Sequence, residues 1–410
     1  MKRLTVIVAG VFLLAGVVYG QTEYDLSTFY LRGVENNIFH SPSSYINNLG
    51  ETLTEDSLIQ SDGLNGFGWD LELKRDFGRH RLRLEQDGWL RRYGSYSTAN
   101  QGDYQAELKY DYDLNRKIDL GARLQGSKTN KIGTNVLGEE LTKTFSYAET
   151  RADGYFELRP TRQNRTKLDF SWRNKNYASD PGVESLSHRL TDLGIGSKQD
   201  FQLGTTTHNI ELELNWEDKA YRDRTATDST GSSRDITYPR RHWQYLSAQL
   251  TYGLELFRHW TVEPSFEITR RNDLFQDYYT YNQVENGIDL GYESNRLAVD
   301  AGFKSTNRHY LVRTARQLQG PEPDLVYKYH RYTLEASYAI VSGVFLTGEY
   351  EHLARITNVT VETMRTRRSY NYSRFNFGVA FGLQGVFHLG DIRGGRNKSG
   401  NRRHGEEERD

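Results

Sequence analysis

The stretch Tyr104-Gln-Ala-Glu-Leu-Lys-Tyr110, followed after Leu114-Asn115-Arg116 by Ile118-Asp-Leu-Gly-Ala-Arg-Leu124, decides the fold. Tyr104, Ala106, Leu108 and Tyr110 alternate with Glu107, Lys109 and Asp111, and Ile118, Leu120, Ala122 and Leu124 alternate with Asp119 and Arg123. Successive side chains of a strand point to opposite faces, so a period of two gives each run one oily face and one charged face. The short joint makes the two runs a hairpin.

The same alternation recurs along the chain, from Phe67, Trp69, Leu71 and Leu73 to Phe375, Phe377, Val379, Phe381 and Leu383. Between these ends it appears around Leu82, Phe156, Leu168, Leu212, Leu250, Phe266, Leu290, Val299, Leu334 and Leu346. A strand near Leu186 to Ser197 is needed to bring the chain down before Ile210, and Leu26 to Gly33 is needed to rise before Trp69. Single-chain barrels hold an even number of strands, so the expectation is about 16, with about 14 as the alternative. Pro264 falls inside one run and weakens it, since proline cannot donate to a ladder.

Connections differ in length between the two ends of these runs. Short turns are expected near residues 77–79, 114–116, 160–164, 257–259, 293–295 and 341–343. Longer polar links are expected near 94–102, 127–143, 222–240, 271–285, 306–325 and 356–369. Membrane barrels have this asymmetry, with short periplasmic turns and long extracellular loops. Runs of about 10 residues or more also exceed the usual strand of about 5–6 and match the span of a tilted transmembrane strand. The pattern predicts an all-β, transmembrane antiparallel up-and-down β-barrel over residues 65–388.

Composition excludes other classes. The mean hydropathy of −0.77 leaves no room for several apolar helices. With no Cys, thiolate metal sites, disulfides and a Cys nucleophile are out. The 53 Lys+Arg balance 54 Asp+Glu, unlike the basic footprint of a nucleic-acid binder. The 11 His are scattered and no G-x-S-x-G element occurs, so no catalytic residue, metal site or cofactor is assigned.

Lys2 and Arg3 precede the apolar run Leu4 to Val18, and Val18 and Gly20 stand at −3 and −1 before Gln21. This is the layout of a secretory signal peptide over residues 1–20. Residues 21–64 are expected to hold the first strand plus a loop or inward plug. Residues 389–410 are polar and mixed in charge, as in a disordered tail.

The chain resembles bacterial outer-membrane β-barrel proteins in general, over about residues 21–388. The aromatic terminal strand Arg374 to Phe387 looks like the last strand of that class. The resemblance implies a bacterial outer-membrane location, contact with outer-membrane lipid, and handling by the barrel assembly machinery, which commonly reads a final Phe. Here the residues from His388 to Asp410 follow Phe387.

The expected lumen-facing residues are Asp70, Glu72, Arg81, Arg83, Glu107, Lys109, Asp119, Arg123, Lys167, Asp169, Arg173, Glu211, Glu213, Glu349 and Glu351. Acidic residues outnumber basic ones on the polar faces, and acidic rings favour cations. Cross-strand pairing would instead consume these charges. The function expected is porin-like passage of small polar solutes, without reaction. The alternative is a non-conducting barrel that docks a protein partner in the lumen, at the outside loops or at the tail, for example as a sheath around an electron-carrier protein.

Overall fold

The structure is a computed structural model. It describes residues 22–38, 45–46, 52–53, 59–130, 132–134, 140–144, 146–178, 186–232, 237–256, 259–315, 317, 320–360 and 369–382. The expected signal peptide, Phe387 and the polar tail lie outside the described residues.

Sixteen antiparallel strands close into a barrel. They are β1 Thr22–Glu35, β2 Asp62–Phe77, β3 His80–Tyr93, β4 Gln101–Asn115, β5 Ile118–Asn130, β6 Tyr147–Leu158, β7 Asn164–Tyr177 and β8 His188–Leu203. The second half comprises β9 Thr206–Thr225, β10 Arg240–Leu256, β11 Trp260–Asp273, β12 Tyr281–Glu293, β13 Leu297–Thr314, β14 Asp324–Val341, β15 Val344–Thr357 and β16 Tyr370–Gly382. Each strand pairs with its neighbours in sequence, and β1 closes the ring on β16 from Ser27↔Gly382 to Glu35↔Arg374. Closure leaves no unpaired edge, the condition for a sheet in hydrocarbon.

The number of strands is the one expected, and both supplementary strands form, as β1 and β8. Two connections went unread. One is the turn between Leu203 and Thr206, where Gly204 has φ +63°, a conformation that suits glycine. Gly78 does the same at the first hairpin, with φ +67°. The other is the link after Tyr177. The link expected over 306–325 is shorter, because alternation continues past Thr306: Arg308 and Tyr310 are buried while His309 and Leu311 are not. Pro264 stays inside β11, paired with Ile288 of β12. Toward β10 the register passes from Thr251↔Ser265 to Leu254↔Val262, so the ladder is interrupted where proline has no N–H to give.

Strands run from 12 residues in β6 to 20 in β9. A tilted strand needs about 9–11 residues to cross hydrocarbon, so the longest project beyond it. Long connections all leave one end of the ring. There Ile38, from the β1–β2 connection, packs with Leu64, Tyr93 and Ala99; the remainder of the expected loop or plug lies largely outside the described residues. At the short-turn end Ala298, Phe345 and Ala380 form a small apolar cluster with Phe29 and Ala339.

Candidate functional site

On β16 the two faces are sharply different. Phe375 and Phe377 are 53% and 57% exposed, whereas Arg374 and Asn376 beside them are 5% and 1% exposed. The same inversion runs round the ring: Leu168, Leu193, Leu212, Leu250, Phe266 and Leu334 are exposed, while Ser171, Glu217, Ser247, Thr269, Thr306 and Glu351 are buried. A soluble protein would do the opposite with so many large apolar side chains. A closed ring oily on its outside satisfies its backbone internally and its surface in hydrocarbon. The chain is a transmembrane β-barrel. Among the described residues no helix is long and apolar enough to cross a membrane.

The barrel's charged face carries ion pairs, some across neighbouring strands and some along one strand. Arg83 Nε lies 3.1 Å from Glu72 and its Nη1 3.4 Å from Glu85. Register explains this, since Glu72 of β2 stands opposite Glu85 of β3 and a cation between them relieves the repulsion. Arg81 pairs with Asp76 at 3.1 Å, and Lys109 with Asp111 at 3.7 Å. Arg123 reaches Glu107 at 3.7 Å and Asp153, and Arg151 joins Asp153 at 2.7 Å. Asp119 is held by Arg159 from the β6–β7 turn, and Lys167 pairs with Asp169.

Further round the ring, Arg173 meets Asp192 and Glu217. Lys198 lies 3.6 Å from Glu211. Glu213 stands opposite Gly196 of β8 and Gln249 of β10. Asn376 donates to Glu349 at 2.8 Å, and Glu351 accepts from both Arg331 and Arg374. Asp70 stands opposite Asp87 of β3 and Ser27 of β1. Among the described residues no group of three or more metal-ligating side chains converges.

A second arrangement was not anticipated from the sequence. Near the long connections of the β9–β13 side, the charged face becomes a cluster of arginines and aromatic rings. Arg271 Cζ lies 4.3 Å from the ring centres of both Trp243 and Tyr281, and Arg241 lies 4.5 Å from that of Tyr279. The available signal was arginine and aromatic residues sharing one strand parity, as in Arg241-His-Trp243 and Arg308-His-Tyr310.

No family model matches the chain. No curated protein matches it either. Among solved structures it is similar to the ferric citrate transporter FecA in the unliganded form, at 11% identity and a TM-score of 0.40, covering 82% of this chain and 60% of that one. The chain thus spans 60% of that transporter's length. It is also similar to OccK8 (OprE) from Pseudomonas aeruginosa, at 8% identity and a TM-score of 0.44, covering 89% of this chain and 99% of that one. The anion-selective porin from Comamonas acidovorans shares 7% identity at a TM-score of 0.40, covering 88% of this chain and 100% of that one.

Proposed function

We propose that the barrel is a porin-like channel through which small polar solutes diffuse passively across the outer membrane, with no reaction and no cofactor. The observation that supports this reading is a closed ring of 16 strands whose face turned away from the leucines carries matched charges. A ring of about 16–18 strands is wide enough to enclose water. Charged side chains facing a membrane interior are tolerated where they meet a wet cavity or one another. On this reading the fifteen residues expected from the sequence line the lumen, and their ion pairing holds long side chains along the wall rather than across the passage.

Planar-bilayer recording tests the proposal. The purified barrel, checked for folding by its shift on a detergent gel before and after boiling, is expected to give reproducible open-channel steps. Persistent silence from folded protein, above all with a second protein co-purifying, would replace passage with partner docking.

A further inference from the structure

On the oily outer face, the two ends of the ring are finished differently. Toward the short turns, exposed rings such as Tyr24, Trp260 and Tyr338 stand on that face. Toward the long connections it ends in exposed cations: Arg32 of β1, Arg92 of β3, Lys128 of β5, Arg189 of β8, Arg270 of β11 and Lys328 of β14. Register puts them on the oily side, since Arg270 stands opposite Leu246 and Lys328 opposite Ile356, both exposed. Two carboxylates share the face at that end, Asp218 and Asp324. Each lies against a histidine, His242 at 2.8 Å and His309 at 3.0 Å.

On β1 to β3 these cations form a row. Arg32 stands opposite Asn65, and Asn65 opposite Arg92. Neighbouring strands lie about 4.8 Å apart, so two guanidinium forks flank one amide with about 10 Å between their backbones. The Tyr30 hydroxyl donates to Asn65 Oδ1 at 2.8 Å, which leaves Nδ2 as the donor of that amide. On its other side Arg32 stands opposite Phe377 of β16. Among the described residues no carboxylate stands opposite any member of the row. The exposed side chains around it are Tyr30, Val34, Phe67, Leu90 and Phe377.

Cations set among apolar groups on a membrane face are costly unless an anion or water meets them. A phosphate ester answers the whole row: its oxygens accept from both guanidinium forks in charge-assisted bonds and from the Asn65 amide between them. Acyl chains below the phosphate continue onto Phe67 and Leu90, which lie on the side of the membrane centre. A dissolved phosphate ion makes the first set of contacts and not the second. Basic groups at a membrane edge recognise anionic head groups in this way.

We propose that Arg32, Asn65 and Arg92 bind the phosphate-bearing head group of a lipid in the leaflet at the long-connection end. The site lies outside the barrel wall, so the proposal stands whether or not the lumen conducts.

Native mass spectrometry of the full chain in an uncharged detergent tests it, with phosphatidic acid and phosphatidylcholine of the same acyl chains as probes. Phosphatidic acid is expected to bind the more tightly. Arg32→Gln with Arg92→Gln is expected to weaken phosphatidic acid binding by about thirtyfold, from about 1 kcal/mol for each cation lost near a lipid surface. Arg116→Gln with Lys117→Gln, which removes the same charge from the β4–β5 turn at the other end, is expected to change it little. Inorganic phosphate at the same concentration is expected not to displace the lipid. Equal affinity for the two lipids, an unchanged affinity in a folded Arg32 and Arg92 variant, an equal loss in the turn variant, or displacement by inorganic phosphate overturns the site. The comparison of the two lipids needs no substitution and decides the matter if the arginine variant fails to fold.

Discussion

Tyr155 lies across the bare backbone of Gly121, its ring filling the space where a Cβ would stand, and its hydroxyl donates to Asp111 two strands away. Gly121 thus lets a strand-β6 phenol fold flat over β5 and reach a carboxylate on β4. A side chain at 121 must displace the ring. Gly121→Leu is expected to cost about 1–3 kcal/mol, the usual range for overpacking. Gly154→Ala, whose added Cβ meets nothing closer than a backbone oxygen at 3.9 Å, should be nearly neutral. Urea unfolding in detergent checks both, and equal losses would contradict the packing argument.

Glu351 is held between Arg331 and Arg374, and Glu351 and Arg374 are almost wholly buried. Removing the carboxylate by Glu351→Ala leaves two cations facing each other and is expected to cost about 3–5 kcal/mol. Glu351→Gln, which keeps an acceptor, should cost less. Unfolding midpoints of the two variants decide; a harmless alanine would mean that the triad contributes nothing.

Leu250 faces lipid at 46% exposure, opposite Leu212 of β9 and Phe266 of β11. An arginine there is expected to destabilise by about 2–4 kcal/mol, the cost of a cation on the lipid face near the midplane. Gln249→Arg, one residue away on the charged face, should be far milder. Refolding equilibria into lipid vesicles compare them. A larger penalty at 249 would invert the assignment of faces.

In the connection after β9, Asp228 accepts from the Thr230 hydroxyl, the Ser232 and Thr230 N–H groups and the Tyr238 hydroxyl. These donors, the Thr230 hydroxyl foremost, pull its pKa down to about 2. A depressed carboxyl pKa supports structure above the ordinary value of 3.8 and loses that support as pH falls through about 2. Amide exchange at Thr230 and Ser232 should therefore be protected at neutral pH and become faster only as pH falls from about 4 toward 2, after correction for intrinsic rates. Asp228→Ala should lose that protection at every pH.

Strand number, faces and the lopsided connections were legible because each depends on residues close in the chain. The Leu203–Thr206 turn is not legible in the sequence because it lies inside the mostly polar stretch from Ser197 to Asn209, where only Phe201 and Leu203 are apolar and the alternation fades. Polar residues such as Arg308 also concealed the continuation of β13, where buried arginine and tyrosine alternate with exposed His309 and Leu311. Alternation places the acidic residues on one face by parity, but a count of charges carries no information about height.

Period-two alternation was enough to set up a sheet with one oily and one charged face, because side-chain direction in a strand follows from position alone. Which charges meet depended on register, and register exists only once strands separated by many residues are paired and the ring is closed. Glu351 is bracketed by Arg331 and Arg374 through β14 and β16, and Arg271 stacks between Trp243 and Tyr281 through β10 and β12. Those meetings, and the charge they leave at each height of the wall, are properties of the closed barrel rather than of any one segment.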